Sequence, residues 1–274
     1  MIRKLNELDR SKVLDYLYKD ASLNIFIIGD IEAFGFEQEF QSIYGEFDQK
    51  NKYKSVLLFY RENAVFYSHI DHFNLEWLII INENKFSYFN GRVTLMELIS
   101  PHLKGFDYKE MYFAEAFNIK SLENDELLKP IKLETREDAT KIYYLLETVD
   151  EFGVNDQELD YFIEGKMKGL NMGSTYYLEE NNKAISTVAA TAETTINAIV
   201  VGVATHESAR NRGLATKLMI HLMNEYKQKN KYLCLFYDNP KAGAIYKRLG
   251  FKDTEKWVMM NKRWFKWWKF YYLI

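Results

Sequence analysis

Arg210, Arg212 and Gly213 stand where an apolar run, INAIVVGVAT, gives way to a helical pattern, in the stretch HESARNRGLATKLM that spans 206–219. The first N–H groups of a helix have no intrahelical acceptor, and its aligned peptides place roughly half a positive charge at that end. An anion there satisfies both. Gly213 lets backbone approach a ligand closely, Ala215 keeps the second approach narrow, and the two arginines add full charges beside the amides. A pyrophosphate suits such a cradle. A surface turn with its charges outward uses the same residue types, and the stretch by itself does not choose between the two. Two reactive residue types lie nearby. His206, just beyond the strand, is expected to face solvent. Cys234, inside the apolar run KYLCLFY, is expected to be a small buried hydrophobe and not a nucleophile.

The rest of the chain must position that turn. Its 274 residues, 47% hydrophobic and 16% aromatic, suffice for one large domain or two ordinary ones. A net charge of −3 supplies no basic field for nucleic acid. One cysteine excludes an intramolecular disulfide framework and a multi-cysteine zinc site, and five scattered histidines indicate no metal. The charged N-terminus has no signal-peptide core, and no apolar run approaches the roughly 20 residues of a spanning helix. A cytoplasmic protein is the expectation.

The polar segment 121–129 (SLENDELLK) before Pro130 marks the expected boundary, giving domains 1–125 and 131–274. Each half opens alike: Asp9, Lys12, Val13 and Leu17 recur as Asp138, Lys141, Ile142 and Leu146, which predicts a paired architecture. In the first half SVLLFY (55–60), AVFYSHI (64–70) and EWLIII (76–81) predict three strands of an antiparallel meander, and TLMELISPHL from Thr94 a helix. In the second, TKIYYLLETV and LDYFIEGKM predict helices, and STYYLEE and KAISTVAATA a hairpin turning at Asn181-Asn182. INAIVVGVAT (196–205) is a further strand; Leu214, Leu218, Leu222 with Ala215, Met219, Met223 stripe a helix. KYLCLFY (231–237), an Asp238-Asn239-Pro240 turn and the short helix KAGAIYKRLG follow. The order is strand, helix, strand, helix after an antiparallel start, an α/β chain with a mixed sheet.

With its surroundings the turn resembles a known family. Arg210-Asn211-Arg212-Gly213-Leu214-Ala215, between a strand and a helix, is similar to the Arg/Gln-x-x-Gly-x-Gly/Ala signature of the GCN5-related N-acetyltransferases (GNAT). Further on, 239–251 (NPKAGAIYKRLGF) resembles the family's second segment, N…A…Y…GF. The likeness covers roughly 131–260. More loosely, 24–32 (NIFIIGDIE) resembles the degenerate partner domain of tandem members similar to glycine N-acyltransferases. Two GNAT-like domains are implied, each a mostly antiparallel twisted sheet flanked by helices, the C-terminal one with a splayed strand pair.

The resemblance also implies roles. Main-chain groups of Val203 and Thr205 would bond the pantetheine arm of acetyl-CoA, or of another acyl-CoA, as co-substrate, and the N–H groups of Arg210, Asn211, Arg212, Gly213, Leu214, Ala215 and Thr216 its pyrophosphate. Asn239 would fix the pantetheine arm, while as a residue before Pro240 it is equally an Asx-turn or helix cap. Tyr246 would protonate the departing thiolate, against the alternative of one more tyrosine packing helix on sheet. Where some relatives carry a glutamate on the strand before the signature this chain has Ile199, which puts a direct carboxylate base in doubt. Glu193 at the hairpin is expected to be an exposed turn residue; Glu151 and Asp156 are further candidates for the acceptor pocket. The implied activity is N-acyl transfer to an amine of a small molecule or peptide, with no metal and no nucleic-acid partner. An idle acyl-CoA sensor is the alternative. The aromatic, basic tail 262–274 (KRWFKWWKFYYLI) is expected to pack across the halves or on a dimer mate, ahead of a membrane contact.

Overall fold

The computed structural model describes residues 1–117, 129–149, 152 and 159–263. Its contacts divide the chain into two units, one of Met1–Phe113 with the stretch beginning at Asp253, the other of Ala114–Lys252. The first unit is thus discontinuous in sequence.

In the first unit, α1 (Arg10–Leu17) and α2 (Ile25–Phe34) follow the short strand β1 (Ile2–Lys4). Strands β2 (Gln41–Phe47), β3 (Tyr53–Tyr60) and β4 (Asn63–Tyr67) form an antiparallel run with β1 on its edge, so the expected meander holds that far. The third expected strand is not one: Trp77–Glu83 is helix α3. Trp77 and Ile81 are buried one helical turn apart, whereas Ile79 between them is 61% exposed. Helical spacing thus overrode the β-branched composition of a short apolar run, the case in which periodicity alone is ambiguous.

Next, β5 (Tyr88–Arg92) pairs parallel to β4, and α4 (Val93–Ile99) follows directly, as the sequence predicts. The far strand of the chain, β12 (Lys252–Lys262), then lies antiparallel on β5 with Val258 opposite Gly91, and β6 (Phe106–Ala116) completes the order β1-β2-β3-β4-β5-β12-β6. Val258 and Met260 enter the same core as Phe66, Trp77 and Phe89. This core therefore requires residues from near the end of the chain.

A buried carboxylate pins the loop between β4 and α3. Glu46, 2% exposed, accepts from Ser55 Oγ (2.6 Å), Trp77 Nε1 (3.2 Å) and Asn74 Nδ2 (3.3 Å) and lies 3.1 Å from His72 Nε2. Burial pushes its pKa up, but the bonds from Ser55 and His72 more than offset this and hold it below the usual value. A carboxylate with a lowered folded-state pKa adds stability that is present above its unfolded value and lost as pH falls through the folded one. The first unit should therefore lose stability below about pH 4. Glu46→Gln sets an amide N–H₂ among donors and should cost about 1–3 kcal/mol while flattening that acid limb, measured by urea titration at pH 7 and pH 4.

The second unit begins with the last residues of β6 and holds β7 (Ile131–Lys132), α5 (Arg136–Glu147), α6 (Leu159–Lys168), β8 (Ser174–Glu180), β9 (Lys183–Thr191), β10 (Asn197–Thr205), α7 (Leu214–Gln228), β11 (Tyr232–Tyr237) and α8 (Pro240–Arg248). Its strand order is β6-β11-β10-β9-β8-β7, with β7 to β10 antiparallel in succession and β10 parallel to β11. Asn181 and Asn182 carry φ of 50° and 59° at the β8–β9 turn, the double left-handed conformation that asparagine tolerates. One face of the sheet packs on α7 and α8 through Leu218, Met219, Leu222 and Tyr246; the other packs on α5 and α6 through Ile142, Leu146 and Phe162. The repeat read from the sequence reappears at both helix starts, where Asp9 and Asp138 are the third residues of capping boxes closed by Asn6 and Thr135.

Candidate functional site

The centre of the second unit is a fork. β10 and β11 pair from Asn197 with Tyr232 to Val200 with Leu235, and there the ladder stops although β10 continues to Thr205 and β11 to Tyr237. A bulge against β9 lies just past the fork, between Val201 and Ala204, where Gly202 takes φ +60°. The bulge inverts the strand's facing: Ala198 and Val200 point into the α7 core before it, Val203 packs there after it, and Ala204 joins the α5 core. Since His206 N–H donates to Ile185 O on the β9 side (2.9 Å), the main-chain groups of Thr205, and by alternation of Val203, point away from β9. That side is where β11 has diverged. The splayed pair is therefore present, and the glycine of VVGVA was its signal in the sequence.

The strand delivers the chain to α7 through a turn of unusual backbone. Arg210 is extended, Asn211 has φ 63° and Gly213, the N-cap of α7, is left-handed at φ +74°. No side chain caps this helix, whose first bond runs from Lys217 N–H to Gly213 O (3.0 Å). The amides of Leu214, Ala215 and Thr216 are thus left without an intrahelical acceptor. α5 and α8, in contrast, are each capped by a side chain, Thr135 and Asn239. Open space lies where a Cβ on Gly213 would stand. Leu214 is buried and anchors the first turn, and Ala215 and Thr216 are half-buried.

Neither arginine points freely into that space. Arg210 Nε donates to Thr205 O (3.3 Å), and Arg212 forms a two-pronged pair with Glu180, which holds the carboxylate below its usual pKa. Thr205 Oγ1 lies 2.9 Å from Ser186 Oγ. Asn239 is exposed, and its Oδ1 accepts from Lys241 N–H (2.9 Å), so the capping role is realised.

Tyr246, on α8, is 8% exposed and packs edge-on to Tyr237 (centroids 5.8 Å) and Phe251 (6.0 Å). Burial pushes its hydroxyl up to about 12, so it is protonated at neutral pH. Its position depends on Gly243, which the sequence reading passed over. A Cβ on Gly243 would collide with the Cε2 edge of the Tyr237 ring, so glycine lets α8 lie this close to β11 without displacing that ring. Gly243→Ala should cost about 1–3 kcal/mol through the displaced ring, read as a lower Tm.

Other candidates settle into structural roles. Glu193 is not an exposed turn residue: it accepts from Lys231 Nζ (2.7 Å) and Tyr226 OH (2.8 Å), bonds that outweigh its burial and lower its pKa. Such a carboxylate is a poor proton acceptor. His206 caps the short turn after β10 by accepting from Ser208 N–H (3.3 Å). Cys234 is fully buried with its thiol pKa raised, and Ile199 is fully buried. Glu151 and Asp156 lie outside the described residues, as does the tail from position 264. Among the described residues no group of histidine, cysteine or carboxylate side chains is placed to hold a metal, and no helix is long and apolar enough to cross a membrane.

A forked pair of parallel strands feeding an uncapped helix, in a mixed sheet covered by helices, defines an acetyltransferase-type fold. Residues 137–251, within the second unit, match the model of the acetyltransferase (GNAT) family. Solved structures agree over nearly the whole length of the chain. A GCN5-related N-acetyltransferase-like protein of Streptococcus suis superposes with TM-score 0.59 at 15% identity, covering 94% of this chain and 100% of that one. A GCN5-related N-acetyltransferase of Sphaerobacter thermophilus gives 0.64 at 13%, covering 96% and 95%. A tandem GNAT protein from the clavulanic acid biosynthesis pathway gives 0.57 at 12%, covering 95% and 97%. At such identities these likenesses bear on fold alone. None of the curated proteins compared with the chain matches it significantly.

Proposed function

We propose that the second unit transfers an acyl group, most simply acetyl, from an acyl-CoA to the amine of a small molecule or peptide. The observation that carries this is the fork between β10 and β11 leading into the left-handed turn at Gly213, with amides of Leu214, Ala215 and Thr216 unanswered and no capping side chain. A pyrophosphate would supply the missing acceptors and meet the positive end of a 15-residue helix. The pantetheine arm would then lie along the open edge of β10, bonded by main-chain groups of Val203 and Thr205. Arg210 and Arg212 act as support, since each must leave a present partner to touch phosphate. Asn239 would keep its cap and offer Nδ2 to the arm.

The chemistry is direct attack in a ternary complex. The amine nitrogen bonds to the thioester carbon, the C–S bond breaks, the nitrogen loses a proton to water, and Tyr246 gives its phenolic proton to the sulfur. A thiolate in the same apolar surroundings is also raised in pKa, which brings donor and acceptor closer together. No carboxylate stands on β10 at the fork, so the base is water or a group on the acceptor side.

The test is calorimetric titration of the purified chain with CoA and acetyl-CoA, with free thiol followed against a panel of amines. Binding with thiol release that depends on an amine supports the proposal; binding without release supports the sensor, for which buried Ile199 in place of a carboxylate is the specific observation. Absence of CoA binding overturns both.

A further inference from the structure

Between α6, β7, β8 and β9 the second unit has a partly open cavity of about 130 Å³. It reaches β10 at Val201, the first residue past the fork. A cavity of roughly 150 Å³ accommodates six carbon atoms in a ring. The space therefore suits a ligand of about that size.

Its charge is one-sided. Two lysines, Lys132 and Lys166, and the hydroxyl-bearing Tyr161, Thr175 and Thr191 contribute to the wall, and no carboxylate does. The acid nearest in sequence, Glu164 on α6, is taken by Arg136. Lys166 is half-buried with its ammonium 5.5 Å from the centroid of Phe162, and among the described residues no anion pairs with it. A cation in a recess with no counter-ion among the described residues is a desolvated charge that a ligand anion would relieve.

We infer that this cavity is the acceptor subsite and that it takes a small amine bearing a carboxylate, with Lys166 as the partner of the carboxylate. The inference rests on the acyl-transfer proposal for its orientation: the carboxylate sits at Lys166 and the amine points toward Val201, where the thioester carbon would lie at the mouth of the fork. Burial in the cavity wall lowers Lys166 to about 8, and an adjacent carboxylate restores the charged form. Binding near pH 8 thus takes up a proton, and affinity falls as pH rises above that. Tyr161 is exposed and Lys132 stands at the rim, so neither replaces Lys166 as the partner of a buried anion.

The experiment compares L-alanine and β-alanine with ethylamine and ethanolamine, by calorimetry on the full chain and by thiol release with acetyl-CoA. The carboxylated probes should be preferred by tenfold or more, with proton uptake at pH 8 seen as a buffer-dependent heat. Lys166→Met keeps the apolar stem on Phe162 and should abolish that preference with CoA affinity unchanged. Gly165 also lines the cavity, and a Cβ there meets nothing within 4 Å, so Gly165→Leu should obstruct the space and improve helix propensity. It gives a folded variant in which probe binding alone is lost. Equal use of carboxylated and decarboxylated probes, or a preference that survives Lys166→Met, overturns the inference while leaving acyl transfer standing. If the carboxylated probes bind through Lys166 but CoA does not bind, the acyl-transfer proposal fails and the anion site remains. If no carboxylated probe binds or reacts, the site is wrong.

Discussion

Replacing Gly213 by glutamate is expected to weaken CoA binding by 100-fold or more, about 2.7 kcal/mol, with the fold retained. Two effects contribute and can be separated. Any L-residue at φ +74° carries the left-handed penalty of about 1–2 kcal/mol, which falls on stability. Because a Cβ there meets nothing within 4 Å, no clash is added to it. The second effect is charge: a carboxylate beside the open amides competes with phosphate for the donors and repels it. Gly213→Gln has the same backbone strain and nearly the same bulk without charge, so it should lose about tenfold. The gap between the two variants should shrink from 50 mM to 500 mM salt, because exposed charges are screened over about 10 Å at roughly 0.1 M. Equal losses for glutamine and glutamate would mean that bulk alone blocks the ligand. Unchanged affinity in both would remove the turn from the binding site.

Most of the second unit could be read from the chain because its signals are local. Asn181-Asn182 turns a hairpin by backbone tolerance, and Leu214, Leu218 and Leu222 recur at helical spacing. Gly202, isolated among β-branched residues, marks the bulge that inverts the strand. What the sequence left unread depends on distant contacts. The run EWLIII, a short apolar stretch between polar turns, reads as a strand, and only burial of Trp77 with Ile81 reveals the helix. No local pattern tells that Val258 and Met260 complete a core begun by Phe66 and Trp77, since the partners lie nearly two hundred positions apart. The candidate site divides in the same way. Its proposed donor side is a continuous stretch with a recognisable order, from Val203 to Thr216. The proposed acceptor side draws on five elements, α6 and β7 to β10, and Lys166 stands out only when the cavity around it is seen. Glu193 shows the opposite failure. A glutamate beside a turn is ordinarily exposed, yet Lys231, 38 positions on, draws it into a half-buried pair.

Tyr246→Phe should reduce kcat by about 10²–10⁴-fold, equivalent to roughly 3–5 kcal/mol of transition-state stabilisation, with CoA affinity changed less than twofold. The variant is conservative here because the ring, not the hydroxyl, makes the packing contacts with Tyr237 and Phe251. No hydrogen bond to the Tyr246 hydroxyl is present among the described residues, so its removal strands no partner and should leave stability within about 0.5 kcal/mol. A group with a pKa of about 12 is a reluctant acid toward an ordinary thiolate of pKa about 8.5, and this fixes what the variant should reveal. If proton transfer limits the rate, thioesters whose leaving thiols are more acidic need less help, and the deficit of the phenylalanine variant should narrow with them. The pH profile supplies a second check. A phenol raised to about 12 stays protonated across the working range, so wild-type kcat should not fall on the alkaline side below about pH 10, and any lower limb belongs to the amine. A rate unaltered in the variant, with both leaving groups, would assign the proton to water and leave Tyr246 as packing between α8 and β11.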